Sequence, residues 1–240
     1  MGSKGMLILG IETTADLCSL TIRDAEGTLV EHIFRHRMHL SERLVNDVDA
    51  LLADAGCALE DIEGFGVDIG PGSFTGVRIG VMTVKAWASL LARPVCAVTA
   101  LEAIAAEYEG VEDIIIVPLI RARPTTVYTR LYRLVEDQWQ ALGDVETVTA
   151  DQLANHLANA SHARYLLCGE GLVPFREVLL PALRRAGVSA ACGRAEPPRA
   201  STIARIAQRR LREGKEENPL RLVPYYVAPP PIDPRTDRSK

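Results

Sequence analysis

Three groups of residues have types and spacings that could do chemistry. Gly70-Pro71-Gly72-Ser73-Phe74-Thr75-Gly76-Val77-Arg78 follows an apolar run and opens a longer apolar segment. Its glycines permit tight turning and close backbone approach, and the free N–H groups of a helix start suit an anion or a partner. Gly70, Gly72, Ser73, Thr75, Gly76 and Arg78 are therefore candidate anion or nucleotide contacts. The run is not a Walker A motif, because Val77-Arg78 follows Gly76 where that motif has Lys and Ser/Thr. No base stands nearby to make Ser73 or Thr75 a nucleophile, so helix capping is the expected role of one of them. Glu12-Thr13-Thr14 forms the second group, a carboxylate beside two hydroxyls at a strand end. Glu12 could orient a phosphate or hold hydrated magnesium, with Asp16 and Asp68 as candidate neighbours, yet one carboxylate is a weak metal set.

His32, His36 and His39 form the third group. Their spacing would converge on a helix, but the chain around them reads as strand then loop, so no metal is expected. His156 and His162 read as exposed. Arg121, Arg123, Arg130 and Arg133 lie along strands of the second half, and Arg205, Arg209, Arg210 and Arg212 on a final helix. That helical cluster could touch a phosphate backbone, although Glu213, Glu216 and Glu217 beside it favour an ordinary solvated surface. No catalytic side-chain set emerges.

The elements that must position these residues follow from periodicity. Residues 6–11, 17–22 and 28–34 read as strands, with Gly27 in the second turn. A helix begins near Ser41, with Ser41 as N-cap, Leu40 and Val45 as a hydrophobic staple, and Gly56 at its end. Residues 65–69 form a fourth strand before the glycine run. The helix over 75–91 is apolar nearly all round, with Arg78 and Lys85 its only charges. Such a helix needs burial on more than one side, and its second side faces either another chain or the second domain. Residues 94–98 form a fifth strand, and Thr99 and Glu102 frame a capping box. The order β-β-β-α-β-α implies a mixed sheet with helices on its faces. Beyond it, 114–120, 126–134 and 165–168 read as strands. Thr149 caps one helix, and another covers 202–212 with Ser201 at its start.

The 240 residues include 48% hydrophobic and 24% charged side chains, which suits a globular protein with a sizeable core. A formal net charge of -4 argues against broad, independent nucleic-acid binding. Cys18, Cys57, Cys96, Cys168 and Cys192 form no CxxC pair and point to a reducing cytoplasm. The run at 6–11 is too short to span a membrane and no charged-then-apolar leader precedes it.

Ile8-Leu9-Gly10-Ile11-Glu12-Thr13-Thr14, His39-Leu40-Ser41 and the glycine run continued through Ile79-Gly80 resemble the TsaB (YeaZ) family. The resemblance is strong over 6–105. It is looser afterwards, where Gly169-Glu170-Gly171 and Pro224-Tyr225-Tyr226 fall at similar features. It implies an α/β, actin-like or Hsp70-like ATPase fold of two ribonuclease-H-like halves with mixed sheets flanked by helices. Those halves would span 1–104 and 105–228, with 229–240 as a disordered tail. It also implies a non-catalytic cytoplasmic subunit of the machinery that puts threonylcarbamoyl on N6 of adenosine 37 in tRNAs reading ANN codons. Implied partners are a TsaD-like catalytic subunit and a TsaE-like ATPase, with homodimerisation when alone, tRNA engaged mainly through the complex, and no membrane.

The family pairs through its first-domain helices. Leu44, Val48, Val81, Met82 and Lys85 are the interface residues carried over. No cofactor is expected to bind tightly, with ATP or ADP–magnesium placed at or near the partner interface. Two departures from the family pattern stand out. Glu12 replaces the usual Asp and moves the carboxylate by about 1.5 Å. Arg121-Ala122-Arg123-Pro124-Thr125 replaces an Asp-Ala-Arg-x-Gly-like segment. The competing readings are an ATP-dependent phosphotransferase of the same fold and a metallopeptidase-like relative.

Overall fold

The computed structural model of the protein describes residues 6–35, 40–108, 110, 113–136, 138–160 and 164–227. His36, His39, His162 and the 229–240 tail lie outside the described residues. The first sheet has the order β3 (Thr28–Arg35), β2 (Leu17–Arg23), β1 (Ile8–Glu12), β4 (Gly64–Asp68), β5 (Val95–Val98). β1, β2 and β3 pair antiparallel, whereas β4 and β5 extend the sheet in parallel from β1. The second sheet repeats this plan with β10 (Ala190–Cys192), β9 (Tyr165–Cys168), β6 (Ile115–Arg123), β7 (Thr126–Val135) and β8 (Gln138–Val148). β6 to β8 form an antiparallel meander, and β9 and β10 are parallel. This is the actin-like architecture of two ribonuclease-H-like halves.

α1 (Leu40–Ala55) and α2 (Phe74–Leu90) cover one face of the first sheet. Their buried stripes are Leu44, Val48, Leu51 and Leu52 on α1, and Val77, Val81, Val84 and Ala88 on α2. These pack against Leu9 and Ile11, the inward residues of β1. The opposite face receives α6 (Ala200–Arg212), a helix from the far end of the chain. Conversely, α3 (Ala100–Ala105) leaves the first half to pack on β6 and β7 of the second sheet. The halves thus exchange their third helices, and β1 is buried along its whole length. Small residues set the depth of the α6 contact: a Cβ on Gly10 would lie 2.6 Å from the Ala200 carbonyl oxygen. The outer face of the second sheet is covered by α4 (Ala150–Asn159) and α5 (Leu172–Arg185).

Several local expectations change. α1 starts at Leu40, so Ser41 lies inside the helix; Leu40 is buried while Val45 points outward, and no staple forms. Ser201 does not cap α6. The Ala200 and Ser201 amides instead donate to Ser19 Oγ (2.8 Å) and Glu31 Oε1 (3.0 Å), and Arg199 pairs with Glu31. The strands thus supply caps that the helix's own sequence lacks. The strand β8 and the helix α5 were not expected. β8 is interrupted by Gly143 at φ +80, and α5 contains Pro181 and has no side-chain cap.

Gly10→Ala tests the α6 seam. The added methyl meets backbone, so the substitution should destabilise the fold by about 1–3 kcal/mol in equilibrium urea unfolding. Unchanged stability would contradict the close contact.

Candidate functional site

The turn after β1 brings the sequence-predicted carboxylates together. Glu12 is fully buried, and its Oε1 accepts from the Thr14 amide (2.6 Å), the Thr14 hydroxyl (2.9 Å) and the Ala15 amide (3.0 Å). Asp68, at the end of β4, accepts from the Gly70 amide at Oδ1 (2.7 Å) and lies within reach of the Thr14 hydroxyl at Oδ2 (3.1 Å). Thr14 has one hydroxyl proton for two carboxyl groups. Burial, reinforced by the Asp68 charge, holds the Glu12 carboxyl well above the ordinary range. Burial pushes Asp68 up to about 7 against the hydrogen bonds from Gly70 and Thr14. Burial and the neighbouring Asp68 charge thus both favour the protonated form of Glu12 over a second charge in the same site.

The glycine run is used from within the chain. The Ser73 amide donates to the Thr14 carbonyl (2.6 Å), and Thr13 Oγ1 donates to the Gly76 carbonyl (2.8 Å). Ser73 is the α2 N-cap, its Oγ accepting from the Gly76 amide at 3.2 Å, as expected for this segment. A Cβ on Gly76 would lie 1.9 Å from the Thr13 carbonyl oxygen, and one on Gly72 2.5 Å from that of Thr14. The glycines make room for the Thr13–Thr14 turn. Of the candidate contacts, only Gly72 and Ser73 line the 510 Å³ cleft between the halves, with Thr14, Asp16, Arg121 and Glu170. Gly70, Gly76 and Glu12 are buried behind it, and Thr75 lies on the exposed side of α2.

This arrangement does not fit a phosphate-bound magnesium ion. Magnesium needs near-octahedral oxygens and keeps several waters. Three of the four carboxyl oxygens of Glu12 and Asp68 are engaged, and Glu12 Oε2, without a partner, is sealed from solvent. Asp16 and Glu170 add negative charge to the cleft wall, where only Arg121 opposes them. Among the described residues no group of three or more His, Cys, Asp or Glu could hold a metal. His32 pairs with Asp54 and His156 with Glu146, each at 2.8 Å.

The interface residues need correction. Leu44, Val48 and Val81 belong to the chain's own core, because the inward stripes of α1 and α2 fall on them. Lys85 is half-buried and its Nζ donates to the carbonyls of Leu220 (2.8 Å) and Leu222 (3.4 Å). Met82 is 59% exposed; Leu90 at 80% and Val45 at 46% join it on the outer surface. Arg78 has partners within the chain. Its guanidinium lies 4.1 Å from the Phe74 ring centroid, and Nε donates to the Tyr226 hydroxyl (2.8 Å). The far arginines are likewise engaged: Arg210 pairs with Glu102, and Arg205 donates to the Ala106 carbonyl. Sequence reasoning missed Phe74 and Tyr226. An i,i+4 Phe–Arg pair was visible, but its partner lies 148 residues from Arg78.

The family model described as TsaD, tRNA N6-adenosine threonylcarbamoyltransferase, matches residues 35–231. The tRNA threonylcarbamoyladenosine biosynthesis protein TsaB of Bacillus subtilis (strain 168) is 35% identical over 147 residues, 61% of each chain. The protein of that name from Haemophilus influenzae is 27% identical over 170 residues, 65% of this chain and 70% of its own. The matched region thus spans less than two thirds of the B. subtilis protein. The structure of YeaZ from Pseudomonas aeruginosa superposes with a TM-score of 0.77 at 24% identity, over 92% of this chain and all of that one, and shares its fold. Among the described residues no helix is long and apolar enough to cross a membrane.

The buried carboxyl pair sets a pH dependence. In the native state Asp68 holds its proton up to about 7, whereas the unfolded chain releases it near 3.8. The contribution of Asp68 to stability is therefore full below about 4 and falls as pH rises towards 7, and Glu12 adds to the same downward slope from 4.5 upward. Melting temperature should drop between pH 5 and pH 8 by the equivalent of a few kcal/mol. Asp68→Asn and Glu12→Gln should each flatten that profile, and a parent profile that is level or rising across it would contradict the assignment.

Proposed function

The chain belongs to the TsaB (YeaZ) family, within the broader TsaD family, and from that premise we propose that it is a scaffold and activating subunit without chemistry of its own. Its role lies in biosynthesis of tRNA threonylcarbamoyladenosine. In this reading a TsaD-like partner transfers threonylcarbamoyl to N6 of adenosine 37 in tRNAs reading ANN codons. A TsaE-like ATPase joins the assembly, the chain pairs with itself when alone, and all of this takes place in the cytoplasm. Contact with tRNA comes mainly through the assembly.

One observation carries the proposal. The polar groups that an ATP-using enzyme of this fold would turn toward the cleft are tied up internally, while apolar surface remains on the outside of the pairing helices. Met82 and Leu90 on α2 and Val45 on α1 expose large side chains beside a sheet face already filled by the opposite stripes of the same helices. Scattered exposed apolar residues are ordinary. Here they lie on the two first-domain helices that the resemblance implies for pairing, and we assign them to the partner. ATP or ADP–magnesium, where the assembly uses it, belongs at or near the partner interface rather than at Glu12 and Asp68.

Paired substitutions on α2 separate association from folding. Met82→Glu should leave the melting temperature within the change produced by about 0.5 kcal/mol, because the side chain is exposed. It should also abolish self-association by light scattering and co-elution with the TsaD-like partner. Val81→Glu should unfold or strongly destabilise the chain by placing a carboxylate in the core. Retention of both assemblies by Met82→Glu would contradict the proposed surface.

A further inference from the structure

Two arginines of α6 are still without a role once Arg205 and Arg210 are accounted for. Residues 205, 209 and 212 follow one another at helical i, i+4 and i+7 spacing, so Arg209 and Arg212 share the Arg205 side of the helix, away from Arg210. Arg23, at the end of β2, comes to the same place. Its Nε donates to Gln208 Oε1 (3.1 Å), and Gln208 is buried, its Nε2 donating to the carbonyls of Met6 (3.0 Å) and Asp24 (2.8 Å). A fixed amide thus holds one edge of the Arg23 guanidinium and leaves its terminal nitrogens without a hydrogen bond among the described residues. Like charges crowd here. Burial and the Arg212 charge hold Arg23 below the usual guanidinium range, and burial with the Arg23 and Arg209 charges lowers Arg205 against the pull of Glu107. The negative end of α6 favours Arg209 and Arg212, but it does not account for Arg23, which the sheet delivers. The carboxylates that act on this group have other partners. Asp24 Oδ1 accepts from the amides of Glu26 (2.8 Å) and Gly27 (3.0 Å), Glu107 accepts from the Thr202 hydroxyl, and Glu213 pairs with Lys215 (2.7 Å). Among the described residues Arg23, Arg209 and Arg212 form no ion pair.

We propose that Arg23, Arg209 and Arg212 form a contact surface for the phosphate backbone of RNA. Guanidiniums with unused terminal nitrogens match phosphate oxygens in both charge and geometry. No large apolar side chain is exposed on α6, where an anionic membrane surface would need an anchor. Neither α6 nor β2 carries an aromatic ring on which bases could stack, so the contact is with the backbone and independent of sequence. Because α6 covers the sheet face opposite α1 and α2, the surface stays open when a partner is seated on those helices. In naming the tRNA of the assembly as the source of the phosphates, the inference rests on the biosynthetic role proposed above.

Fluorescence anisotropy of a labelled tRNA transcript with the full chain tests it. The chain should bind, and between about 50 and about 200 mM salt its affinity should fall roughly 40-fold, the counterion release of three phosphate contacts. Arg212→Ala changes an exposed side chain and should melt as the parent does. It should lower the salt slope by about one and weaken tRNA and an unrelated RNA hairpin equally. Arg212→Lys should keep the parent slope, and Arg184→Ala, at an exposed position on α5, should bind as the parent does. Arg212→Ala should still co-elute with the TsaD-like partner, and the parent's own co-elution tests the assembly role separately. Absence of RNA binding at about 50 mM salt, a slope that Arg212→Ala leaves unchanged, or equal weakening by Arg184→Ala would overturn the surface, and retained co-elution would leave the assembly role standing. Loss of co-elution by Arg212→Ala would assign this face to a protein partner, and tighter binding to phosphatidylserine vesicles than to tRNA would assign it to a membrane; either would overturn the proposal.

Discussion

The Thr13–Thr14 turn is pressed into the start of α2 so closely that no side chain fits between them. The Thr13 carbonyl oxygen would stand 1.9 Å from a Cβ on Gly76, and the Thr13 hydroxyl oxygen 2.3 Å from one on Gly80. This contact fixes where the glycine run can go. It directs the Ser73 amide onto the Thr14 carbonyl, and it leaves the Glu12 carboxyl no route to solvent. Asp68 is held beneath the same turn by Thr14 and Gly70. Groups that could cradle a phosphate are thereby converted into the joint between two strands and a helix. The upward shift of the Glu12 carboxyl eases that joint, because two ionised carboxylates sharing one hydroxyl in a dry site would repel.

Closure on the inside has a counterpart outside. The first sheet is covered on one face by α1 and α2 and on the other by α6. The final segment then runs back along α2. The Tyr225 amide donates to the Ile69 carbonyl, Leu222 enters the core, and Tyr226 meets Phe74 and Arg78. This strap covers the Arg78–Lys85 side of α2 but not Met82 or Leu90. What remains is a helix anchored firmly on three sides with a free apolar fourth. Such a surface can gain a partner without the subunit reorganising, which is the property a scaffold needs.

Much of this was legible in the residues themselves. The order of strands and helices in the first half followed from alternation, from Gly27 and Gly56, and from Ser73 and Thr99 as caps, since these signals act over a few residues. β8 and α5 escaped because local signals there conflict: Gly143 breaks one and Pro181 sits inside the other. Which of the candidate residues meet in space was not legible. Glu12, Thr14 and Asp68 meet across 54 residues, and Arg78 meets Tyr226 across 148, distances at which spacing has no force. Leu44, Val48 and Val81 were placed on the wrong side of their helices. A helix apolar nearly all round does not reveal from its own sequence which stripe faces the sheet.

The backbone of the glycine run is occupied by its own chain. Amide chemical shifts of Gly70 through Val77, followed while magnesium-ATP is titrated into the isolated protein, test it most directly. The account predicts that these resonances stay where they are at millimolar nucleotide. Saturable shifts of the Ser73 and Gly76 amides, lost on Glu12→Gln, would mean that the turn opens to phosphate and would contradict it.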